Sequence, residues 1–132
     1  MVSQQGGGCC ATLTTGGRRL LVGIGHTKNA TTTAYAHFFY AMDSQLPLQI
    51  VAVSSPFCWP AIPIWLFYTD PASSPSCEHV QMSMSIIDAK QTTPGQTDSV
   101  VIAYGVKDCS SKAVIVTKAE ICRMLGMASC VS

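Results

Sequence analysis

Apolar and polar positions along the chain mark out six short strands and one helix. Leu20, Leu21, Val22 and Ile24 form a β-branched and apolar run that ends at Gly25-His26, where the composition turns polar; this is the first strand. Thr33 to Met42, rich in Thr, Tyr and Phe and closed by Asp43-Ser44, is the second. Leu48 to Val53, bounded by Pro47 and by Ser54-Ser55-Pro56, is the third. Val80, Met82, Met84 and Ile86 then alternate with Gln81, Ser83 and Ser85, a period of two that predicts a strand with one buried face. The turn-forming segment Thr92 to Asp98 separates it from Ser99 to Tyr104, and the polar connection Gly105 to Ser111 leads into Lys112 to Thr117. These last two strands are expected to form a hairpin. Thr117 as cap with Glu120 three residues on predicts a helix start, and Ile121, Met124 and Leu125 give that helix one apolar face before Gly126.

The stretches between carry less pattern. Residues 1 to 17 are mostly Gly, Ser, Thr, Gln and Cys and are expected to be a flexible leader, because they lack the apolar content that offsets the entropy of ordering. Five of the seven prolines fall between 56 and 76, at 56, 60, 63, 71 and 75, so regular sheet pairing is not expected there. Of the aromatics in that excursion, Phe57, Trp59, Trp65, Phe67 and Tyr68, capping of the core is favoured over a sugar-stacking surface. The expected organisation is therefore a leader over 1–17, one domain over 18–125 and a tail over 126–132. Two successive meander groups fit about two antiparallel propeller-like blades, an all-β fold with a short C-terminal helix.

Composition narrows the function classes. The chain has 132 residues, 48% hydrophobic and 11% charged, with a formal net charge of +1. Soluble domains usually carry about 25% charged residues, and nothing here supplies the clustered Lys and Arg that nucleic acid or anionic membranes demand. No apolar run approaches the roughly 20 residues of a membrane-spanning helix, and the first residues lack a secretory signal, so a cytoplasmic location is expected. Seven cysteines, at 9, 10, 58, 77, 109, 122 and 130, include no Cys-x-x-Cys pair, and the odd count predicts small thiols that are neither bridged nor metal-bound. No cofactor is implied. On that expectation the triplet Asn29-Ala30-Thr31 is a glycosylation sequon by chance.

Two constellations at expected strand ends carry the candidate chemistry: Gly23-Ile24-Gly25-His26 and Tyr104-Gly105-Val106-Lys107-Asp108. The order Leu20-Leu21-Val22 to Gly25-His26, Tyr35 to Asp43, and Val100-Val101-Ile102-Ala103 to Tyr104-Gly105-Val106-Lys107-Asp108 resembles the C-terminal part of the five-bladed β-propeller glycoside hydrolases, especially the mannoside phosphorylase type. The resemblance spans residues 18 to 125 and departs from that family at Val106-Lys107 and in the proline-rich excursion. It implies that His26 faces a cleft and contacts phosphate or sugar, that Asp108 accepts sugar hydroxyls, and that Tyr104 stacks or packs beneath. The same residues also fit plain structural roles, His26 satisfying a turn and Asp108 capping a hairpin connection. His37, the Glu78-His79 pair and Lys107 read as structural or solvated.

Glycoside cleavage needs a carboxylic acid at the leaving oxygen, and the resemblance implies that this acid lies in earlier blades, so the chain has no catalytic residue of its own. The expected function is a glycosidase-like or glycoside-phosphorylase-like propeller fragment that contributes sugar or phosphate contacts. The alternative is a non-catalytic glycan-binding or protein-interaction β domain. Open sheet edges predict self-association as well.

Overall fold

The computed structural model describes residues 2–5, 8–29, 31, 35–59, 81–91, 93–95, 97–107, 110–128 and 130. Asp108, the Glu78-His79 pair and the aromatics Trp65, Phe67 and Tyr68 lie outside the described residues. The strands are β1 (Val2–Gln5), β2 (Cys9–Thr15), β3 (Arg18–Asn29), β4 (Tyr35–Asp43), β5 (Ile50–Val53), β6 (Gln81–Asp88), β7 (Ser99–Val106) and β8 (Ser110–Thr117). An α-helix, α1 (Lys118–Met124), follows β8, and a short 3-10 helix, Ala89–Gln91, follows β6. The fold is all-β, with two antiparallel sheets and a short C-terminal helix.

The first sheet is a meander running β3, β4, β5, with β1 and β2 sharing the far edge of β3. Residues 2–5 and 9–15 are thus strands, where a loose leader is expected from composition. Two features hold β2. Ala11 and Leu13 alternate with Thr and bury against the core. Gly16 and Gly17, at φ 57° and 75°, make the two-residue turn whose positive φ values suit a hairpin, so β2 is folded onto β3 by local geometry. The second sheet is the meander β6, β7, β8. Its strand β6 packs across β2, β3 and β4, closing a core of Leu13, Leu20, Val22, Ile24 and Phe39 against Ile86, Val100, Ile102 and Val116.

The strand β3 does not end at Gly25-His26. It continues to Asn29, and His26 is a mid-strand residue opposite His37 of β4 and Gln5 of β1. Gly23 and Gly25 do not break it because Tyr40 and Phe38 of the adjacent strand lie over the space their side chains would fill.

β6 keeps its period of two, but the buried face is the opposite one from the sequence expectation. Gln81 and Ser83 point into the core while Met82 and Met84 are exposed. A register shift between Ser83 and Ser85 then turns Ile86 inward.

Helix α1 starts as its sequence predicts, with Glu120 N–H donating to Thr117 Oγ1 at 3.2 Å. It ends on Gly126 at φ 73°, with Met127 N–H donating to Cys122 O and Gly126 N–H to Arg123 O, both at 3.0 Å. Two of the cysteines, Cys122 in the helix and Cys130 beyond it, form a disulfide. The expectation of unbridged thiols is therefore overturned for this pair: spacing along the chain does not reveal that Cys130 folds back to within 5.9 Å (Cα to Cα) of Cys122.

Candidate functional site

Along β3 and β4, antiparallel pairing places His26 beside His37, and both face the second sheet. His37 is wholly buried, and its imidazole sits in a closed hydrogen-bond circuit. Nε2 lies 3.0 Å from Gln81 Oε1 and Nδ1 lies 3.1 Å from Ser83 Oγ. A carbonyl oxygen can only accept, so Nε2 carries the proton and Nδ1 accepts from the Ser83 hydroxyl. Trp59 Nε1–H donates to the same Ser83 Oγ at 3.2 Å, and the Trp59 backbone N–H donates to Gln81 Oε1 at 2.6 Å.

A proton on Nδ1 would displace the Ser83 donor, and burial disfavours charge. Burial is the largest cause lowering the His37 pKa from 6.5 to about 3; the Gln81 hydrogen bond opposes it, and neighbouring His26 lowers it further. His37 is a neutral structural imidazole at physiological pH.

Rings extend the cluster. His37 is 5.6 Å from Trp59, which stacks on Tyr104 at 5.5 Å and meets Phe57 edge-on at 5.0 Å. His26 and Tyr104, the two described residues picked out from the sequence, are brought to one end of the inter-sheet layer, with His37 and Trp59 between them. Both are walled in, at 5% and 6% exposure, and burial lowers the His26 pKa below 6.5. The Tyr104 ring stacks on Trp59 within the core. The third, Asp108, lies outside the described residues.

Beyond His26 the same face of β3 continues to Lys28, and the same face of β4 begins at Tyr35. Both are half-buried. The Tyr35 ring is 6.0 Å from the His26 ring, and Lys28 Nζ stands 5.6 Å over the Tyr35 ring. This rim holds one ammonium and one phenol, groups able to donate hydrogen bonds to anionic or hydroxylated ligands, with the His26 imidazole buried behind them. In the sequence Lys28 has no role and Tyr35 only a place in the motif order, with no site role; the period-two spacing from His26 and His37 is the signal that could have joined them.

Among the described residues no group of three His, Cys, Asp or Glu side chains could hold a metal ion, and no helix is long and apolar enough to cross a membrane. Comparison with protein-family models, curated proteins and solved structures finds no match to this chain.

Proposed function

We propose that the chain is a carbohydrate-binding β module of propeller-like build, which contributes sugar or phosphate contacts in the manner of a glycosidase or glycoside phosphorylase segment and has no turnover by itself. The observation that carries this reading is the rim where His26, Lys28 and Tyr35 converge. A half-buried aromatic face suits the apolar side of a sugar, and an ammonium beside it suits a phosphate or an equatorial hydroxyl. The ordered motifs that resemble the propeller glycosidases support the same class of ligand.

Calorimetric titration of the full chain with a manno-oligosaccharide, and separately with inorganic phosphate, tests it. Binding of either probe should weaken about tenfold or more in Lys28→Ala or Tyr35→Ala, the scale of one lost charge-assisted contact. The reading fails if neither probe binds, or if both variants bind as the parent does.

A second reading, a protein-interaction domain, is favoured by β5. This strand pairs only with β4 among the described residues, and its Ile50 and Val53 are 61% and 53% exposed. An uncharged edge of this kind accepts another strand, including one from a second copy. A monomer at all concentrations in size-exclusion chromatography would remove self-association through this edge.

A further inference from the structure

Asn29 is the only asparagine in the chain, and it is followed by Ala30 and Thr31. An Asn-x-Thr triplet with a small, non-proline middle residue is the acceptor sequence for N-linked glycans. Its weight depends on the compartment. Bridged cysteines form in oxidising compartments of the secretory route, where N-glycans are also attached, and Cys122–Cys130 is such a bridge.

The placement agrees with that chemistry. Asn29 is the last residue of β3, at a strand end and partly exposed, and Thr31 is exposed in the turn that follows. Thr31 N–H donates to Asn29 Oδ1 at 2.9 Å, so the third residue of the triplet is held against the acceptor side chain. By strand alternation Asn29 belongs to the outer face with Gly23, Gly25 and Thr27, opposite the face that packs on the second sheet. A glycan there projects away from the core and from the rim of His26, Lys28 and Tyr35.

We propose that Asn29 is an N-glycosylation site and that the chain matures in the compartment that forms its Cys122–Cys130 disulfide. In the transfer, Asn29 Nδ2 forms a bond to the anomeric carbon of an oligosaccharide carried on a lipid pyrophosphate. The bond from that carbon to the pyrophosphate oxygen breaks, the lipid pyrophosphate leaves with the electron pair, and one Nδ2 proton passes to a base. Nothing is oxidised or reduced.

The test delivers the full chain to the endoplasmic reticulum of cultured eukaryotic cells behind a cleavable signal sequence and measures the mass of the total chain, retained and secreted. One added glycan is expected, removed by peptide N-glycosidase with conversion of residue 29 to Asp. It should be absent from Asn29→Gln and from Thr31→Ala, and present in Thr31→Ser. Transfer precedes completion of the fold, so a variant that folds poorly still reports. An unmodified mass in chain delivered to that compartment overturns the proposal, whether or not the Cys122–Cys130 bridge has formed. Because the site lies on the opposite face, Asn29→Gln should keep any sugar or phosphate binding, which separates this inference from the proposed function.

Discussion

The side-chain amide of Gln81 grips the main chain of Trp59 at both ends, accepting from Trp59 N–H at 2.6 Å and donating through Nε2 to Trp59 O at 3.1 Å. Gln81 thus does for residue 59 what a neighbouring strand would do, and the same Oε1 also receives His37 Nε2–H. Gln81→Leu would keep the volume and strand three buried polar groups, each costing about 1–3 kcal/mol. A loss of about 3 kcal/mol or more is expected in urea unfolding at neutral pH. A loss under about 1 kcal/mol would mean that water or a shifted side chain replaces the amide.

The circuit around His37 also makes stability depend on pH. Above pH 6.5 the imidazole is neutral in both states, and its hydrogen bonds contribute in full. Between 6.5 and about 3 the unfolded chain takes up a proton that the folded chain refuses, chiefly because of burial, so stability falls as pH falls. The whole span is worth roughly 5 kcal/mol, and about 3 kcal/mol of it is spent between pH 6.5 and about 4.5, above the ordinary carboxylate range. His26, also lowered by burial, acts in the same direction. Unfolding free energies at several pH values across that window check this, and a flat profile would contradict a buried neutral His37.

The meander strands and the terminal helix were legible because each carries its own period or cap, Thr117 and Glu120 being the clearest case. β2 was not, since Thr and Cys at alternate positions mask the inward pair Ala11 and Leu13, although Gly16-Gly17 is a hairpin signal in its own right. The inversion of β6 has a different cause. Hydrophobicity alone puts Met82 and Met84 inside, yet the core at that end contains His37 and the Trp59 indole, which need polar partners. Those partners come from the other sheet, at a sequence distance no local window spans. The candidate site shows the same division: His26 and Tyr104 were visible as residue types, whereas the residues joining them were not.

Gly23 and Gly25 are flat places for rings to lie. Replacing glycine by alanine inside a strand ordinarily gains about 0.5–1 kcal/mol. Here a Cβ on Gly23 would collide with the far end of Tyr40, and one on Gly25 with the Phe38 ring. Gly23→Ala is therefore expected to destabilise, by about 1–2 kcal/mol as the ring is displaced. In a Tyr40→Ala background the same change should become neutral or stabilising. Equal effects in both backgrounds would show that the ring is not what the glycine accommodates.

Lys118 and Asp88 form an ion pair with both side chains 5% exposed and Nζ 2.7 Å from Oδ1. Thr12 of the first sheet donates its N–H to Oδ1 at 3.2 Å and its hydroxyl to Oδ2 at 3.0 Å, so the pair ties β2, β6 and α1 together. Burial pushes the Asp88 carboxyl up, but the bonds from Lys118 and Thr12 outweigh it and hold the pKa below 3.8. The stability this contributes is complete above that value and is lost as pH falls through the depressed one. Lys118→Met leaves the carboxylate buried without its cation, a cost of about 3–5 kcal/mol at pH 7. The deficit relative to the parent should shrink on acidification, because protonation then relieves the uncompensated charge. A deficit independent of pH would mean that lost packing, not charge, is responsible.

The bridge between Cys122 and Cys130 acts on the end of the helix. Cys122 is buried in α1, and its carbonyl already accepts from Met127 N–H across the Gly126 turn. The disulfide therefore closes a short loop, of sequence separation 8, around a turn that hydrogen bonds have shaped. Restricting the unfolded chain through a loop of that length is worth about 2.5 kcal/mol. Cys130→Ser should cost about that much in denaturant unfolding. It should leave the helix start at Thr117 unaffected, since that cap lies at the other end of α1. The parent chain, unfolded without reductant and treated with an alkylating agent, should leave residues 122 and 130 unlabelled. Labelling of both would show that the pair is reduced and would remove the bridge as a source of stability.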